Sequence, residues 1–178
     1  MSDPIDNPVD KVTIGVVVER RAIDDKWRDH EWKAVDLLVG VPPATEWRKL
    51  IEGDGWVRYL AAPVDLCLHK DETYDYRTNL TSEQPYLYVV LRPDEDFDSP
   101  NKIKVFHVTA SPYEAGCFGQ AGDESIECLP VPPEIAAWIA AFVEKHHVEK
   151  PFVKRQRDRY DPEKSGFGRR GPRPEGGR

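Results

Sequence analysis

Residues 132–147, PPEIAAWIAAFVEKHH, decide how the rest of the chain must be read. Ile135, Trp138, Ile139, Phe142 and His146 recur at helical spacing, so a single apolar face runs along this segment. Proline suits the opening positions because its missing N–H would go unbonded there in any case. Lys145 and His146 meet the negative end of the helix dipole. A helix with one apolar face has to lie against an apolar surface, and the upstream sequence supplies one in the form of strands.

Residues 12–23, VTIGVVVERRAI, read as a long strand by their β-branched content. Residues 31–40, EWKAVDLLVG, read as an antiparallel neighbour across the polar loop DDKWRDH. Pro42 and Pro43 stop the second strand, and TEWRKLIE (residues 45–52) is expected as a short helix capped by Thr45. Residues 56–70 read as two strands or one bent strand, since Pro63 cannot donate to a ladder. YLYVVLR (86–92) and KIKVFHVTA (102–110) form a second hairpin around the acidic turn PDEDFDSPN. In SPYEAGCF (111–118) Ser111 and Glu114 mark a helix start with a capping box. SIECLPV (125–131) is extended. The expected fold is therefore α+β: an antiparallel β-sheet or partly open barrel packed by the C-terminal amphipathic helix, with one or two short helices.

Charge divides the chain. Residues 150–178 carry 10 Lys/Arg against 4 Asp/Glu, net +6, which leaves 15 against 28, net −13, for residues 1–149. An acidic body disfavours nucleic acid on the folded surface, so nucleic-acid binding is expected only through the basic tail, if at all. Residues 1–10 and 150–178 read as disordered, and 11–149 as one globular domain. No apolar run approaches the roughly 20 residues of a membrane span. The opening MSDPIDNPVDK is acidic where a secretory signal would be basic and then apolar, so a soluble protein of the cytoplasm is expected. Cys67, Cys117 and Cys128 are widely spaced, which argues against a disulfide framework or zinc ribbon and predicts buried, inert thiols.

The run HKDETYDYRTNLTSEQ, residues 69–84, is dense in polar groups. His69 and Asp71, with Tyr76 and Asn79, are the candidates for gripping a polar ligand or partner there. The run lacks both the helical histidine pair and the glycine-bearing calcium loop, so neither a metal nor a catalytic set is expected. It reads equally well as a polar strand connection with tyrosines at the rim of the core. Of five tryptophans most belong to the core, while Trp27 and Trp47 sit in charged surroundings and are candidates for an exposed contact surface.

Residues 65–92, residues 111–147 and the opening VVVERRAIDDKWRDHEWKAVDLL, taken together, resemble a family of small proteobacterial proteins known as domain of unknown function 3305. The resemblance runs from about Val12 to His147. It implies an association with formate dehydrogenase and other molybdenum enzymes and their maturation factors. Some members carry the label of a molybdopterin-guanine dinucleotide biosynthesis protein. A nucleotidyl transferase of that kind needs a glycine-rich loop after its first strand, and AIDDKWRDHEW has no glycine. The expectation is a non-catalytic accessory or binding protein without a cofactor, serving molybdoenzyme assembly, with a molybdoenzyme subunit or maturation factor as partner. The alternatives are an enzyme acting on a small polar or cofactor-derived ligand, and a nucleic-acid-binding adaptor.

Overall fold

The computed structural model describes residues 10–95, 101–120, 122 and 124–149. The chain divides into two units, Met1–His147 and Val148–Arg178. The description below concerns the first. The expected disordered ends, and with them the nucleic-acid reading of the tail, lie outside the described residues apart from Asp10.

Strand β1 (Asp10–Ala22) organises the first sheet. Along one side it pairs antiparallel with β2 (His30–Val39). Along the other, residues 17–21 pair with β4 (Trp56–Leu60) and residues 10–14 with β5 (Val64–Leu68). Pro63 thus separates two strands that share one neighbour. Strand β3 (Arg48–Gly53) pairs with β4 and ends the row. A second antiparallel sheet runs β7 (Ile103–Thr109), β6 (Tyr86–Pro93), β8 (Ser125–Pro130). Strand β5 lies beside β7 and β2 beside β8 with no shared ladder among the described strands, which makes a partly open barrel.

One core fills the space between the sheets. Ile14, Val16 and Val18 alternate inward from β1 and meet Leu66 and Leu68 of β5 and Leu87, Val89 and Leu91 of β6. Burying each such side chain stabilises the fold by roughly 1.5–3 kcal/mol. Helix α3 (Pro133–His146) adds Ile135, Ile139 and Phe142 to this core, the face its spacing predicts. Helix α1 (Thr73–Leu80) packs beside it, with the Tyr76 and Phe142 rings 6.4 Å apart.

Four sequence-based expectations need correction. Residues 48–53 form strand β3, whereas 45–52 read as a helix: Trp47, Leu50 and Ile51 imitate helical spacing because a β-bulge at Leu50 inserts one residue into the strand's alternation. Residues 73–80 are helical although the connection showed no apolar periodicity, because the buried face is Thr73, Tyr76 and Asn79. Of the cysteines, all free, Cys67 is half-buried and Cys117 and Cys128 are exposed. Of the five tryptophans, Trp32, Trp47 and Trp138 pack part-buried against the core, Trp56 is part-buried, Trp27 is exposed, and none is fully buried. In α2 (Pro112–Phe118) Ser111 Oγ accepts from the Glu114 N–H at 3.1 Å as expected. The reciprocal half of the capping box is replaced: the Ser111 N–H donates to Thr109 Oγ1, and the Glu114 carboxylate lies 3.1 Å from His107 Nε2.

Candidate functional site

On β1 the face that points inward at Val16 and Val18 continues to Arg20, one step beyond the core. The register sets Arg20 opposite Trp32 of β2, Val18 opposite Tyr59 of β4, and Tyr59 opposite Lys49 of β3. Two residues before Lys49, Trp47 joins them. Trp32, Trp47 and Tyr59 are mutual neighbours with ring centroids 5.9–6.1 Å apart. The Arg20 guanidinium lies 5.8 Å from the Trp32 ring centre and 5.9 Å from that of Tyr59. Each such cation–ring contact contributes about 0.5–1 kcal/mol and holds the guanidinium in place. Arg20, Trp47 and Tyr59 form one wall of an open cleft of about 740 Å³, with Ile103, Lys104 and Asp94 of the β6–β7 hairpin on the other. Flat aromatic surface, a guanidinium held against it and two lining lysines together suit recognition of a partner group better than bond chemistry.

A second polar cluster gathers where β5 ends and α1 and α2 begin. Tyr76 is fully buried; its hydroxyl donates to Glu72 Oε2 at 2.5 Å and accepts from the His69 N–H at 3.2 Å. Burial pushes the Tyr76 phenol far above its ordinary value, and the Glu72 hydrogen bond adds to this. Burial also raises the Glu72 carboxyl, with the bond from Tyr76 offsetting only part. Glu114 would be raised by burial too, but hydrogen bonds from His107 and Thr109 and the charges of His107 and His69 hold it below the ordinary carboxylate range. Asn79 lies on the same buried face of α1, but its bonds go to backbone outside this cluster. Its amide nitrogen donates to the carbonyls of Tyr86 at 2.7 Å and Ala110 at 2.8 Å, and its oxygen accepts from the Tyr86 N–H at 3.1 Å.

The family model described as a protein of unknown function, DUF3305, matches residues 13–156. The chain belongs to the DUF3305 family. No curated protein and no solved structure matches it. In this DUF3305 domain the six residues nominated from sequence do not converge. Trp47 lines the cleft; Trp27 stands 84% exposed in the β1–β2 loop, with Lys26 Nζ 5.4 Å from its ring centre. His69 and Tyr76 meet in the second cluster, Asp71 is exposed in the 3₁₀ turn Lys70–Glu72, and Asn79 clamps backbone. No group of three or more metal-type ligands comes together among the described residues. Sequence reading missed Arg20, Tyr59 and Lys104. A signal for Arg20 was present, since it continues the alternation of Val16 and Val18 and so places a cation on an apolar face.

Proposed function

We propose that this DUF3305 protein is a non-catalytic accessory protein of the cytoplasm that holds a protein partner in the cleft walled by Arg20, Trp47 and Tyr59. The partner is a subunit or maturation factor of a molybdenum enzyme such as formate dehydrogenase. One observation carries the binding part: the aromatic trio and the guanidinium stacked on it open into a cleft, and Trp, Tyr and Arg are the residues that dominate binding energy at protein interfaces. The molybdoenzyme part rests on the associations that accompany the family. No helix among the described residues is long and apolar enough to cross a membrane. Affinity purification of the native protein from its own cells, with partners and small molecules identified, tests the proposal. A molybdoenzyme subunit or maturation factor is the expected companion. A stoichiometric small molecule with no protein partner would overturn it.

A second reading, an enzyme acting on a small polar or cofactor-derived ligand, is favoured by Glu72 and Glu114, carboxyls pushed in opposite directions within one cluster. A retained small molecule that is lost in both Glu72→Gln and Glu114→Gln would promote it.

A further inference from the structure

We infer that the cleft takes an acidic, extended segment of the partner protein that crosses the open edge of β3 and turns into the cleft, with its carboxylates against Arg20 and Lys104; this rests on the docking proposal above. The first ground is charge. Residues 1–149 carry net −13, yet the cleft gathers Arg20, Lys49 and Lys104 against Glu46 and Asp94. Lys49 is already paired with Glu52 on its own strand. Arg20 and Lys104 take part in no ion pair among the described residues, although two carboxylates line the same cleft. Arg20 is also half-buried and held by two rings, so its guanidinium is fixed before any anion arrives and loses little freedom on binding one.

The second ground is the edge. Among the described strands β3 has a neighbour on one side only, all six of its residues are exposed, and Leu50 and Ile51 are 41% and 56% exposed. Such an edge presents N–H and C=O groups to an added chain. Lys49 belongs both to this strand and to the cleft, so the cleft reaches β3, and a segment that pairs briefly at this edge and turns inward over Lys49 enters it. The bulge at Leu50 interrupts the edge and confines regular pairing to a few residues, leaving discrimination to the side chains at Arg20 and Lys104.

Selection of random twelve-residue peptides displayed on phage against the immobilised full chain tests the inference. Enriched peptides should be net acidic, bind more weakly as salt rises, and lose about tenfold in affinity with Arg20→Glu or Lys104→Glu. Lys104→Glu keeps the test decisive if Arg20→Glu fails to fold. Neutral or basic winners that depend on Trp47 would overturn the acidic assignment and leave the docking proposal standing. Binding indifferent to Trp47→Ala and to both charge reversals would remove both. No enrichment, Arg20-dependent binding of ATP in place of peptides, or Arg20-dependent self-association of the chain would each overturn the inference.

Discussion

Replacing Asn79 by alanine should damage the fold and not a ligand site. The side chain is 4% exposed and ties α1 to the start of β6 and to the turn before α2 through three bonds of 2.7, 2.8 and 3.1 Å. Truncation strands one buried N–H and weakens two carbonyls. An unmet buried polar group costs about 1–3 kcal/mol, with carbonyls at the low end because a second lone pair remains, so the loss sums to about 3–4 kcal/mol. For a chain of this size that corresponds to a fall in melting temperature of roughly 6–16 °C. Asn79→Asp sharpens the test. The new carboxylate still accepts from the Tyr86 N–H but turns its other oxygen to two carbonyls that need a donor, so stability should improve as pH falls and the carboxyl regains a proton. Urea denaturation followed by circular dichroism from pH 4.5 to 8 measures both effects. A loss below about 1 kcal/mol for Asn79→Ala, or native stability with partner binding abolished, would refute the structural role.

Glu19 is buried between Arg58 and Arg21, and the hydrogen bond from Arg58, helped by Arg21, holds its carboxyl below the ordinary value despite burial. Its contribution is therefore present above an unfolded value of 4.5 and is lost as pH falls through the lowered one. Glu19→Gln should flatten the acid limb of the stability profile in denaturant melts. Glu72 has the opposite sign: with its folded value raised by burial, stability drops as pH rises through that value, and Glu72→Gln should make the protein no less stable at pH 7 and remove this slope. At Gly15 an added methyl would stand 2.8 Å from Val41 Cγ1 and 2.9 Å from Leu60 Cδ1, so Gly15→Ala should cost about 1–3 kcal/mol by overpacking, read as a lower denaturant midpoint at unchanged slope.

The strands β1, β2, β6 and β7 were legible through their runs of β-branched and aromatic residues bounded by turn signals, and helix α3 through a 3.6-residue period held long enough to show a face. Strand β3 is short and has few β-branched residues, so there the bulge at Leu50 is enough to make an edge strand look like a helix. Helix α1 was illegible for a different reason. Its buried positions are Thr73, Tyr76 and Asn79, whose stability comes from hydrogen bonds to distant backbone that no local pattern announces. The cleft was half legible. Trp47 stood out as an aromatic among charges, but Arg20, Tyr59 and Lys104 reach the same cleft only through the register of four strands and a hairpin that closes toward them.

The most direct test of the central claim is calorimetric titration of the partner recovered with the native protein against wild type and Trp47→Ala/Arg20→Ala. Truncated anchors at the centre of an interface lose about 2 kcal/mol or more, so binding by the variant should be weaker by roughly thirtyfold or beyond measurement, with its circular dichroism spectrum unchanged. An affinity within twofold of wild type would show that the partner docks elsewhere and that the cleft is not the working surface.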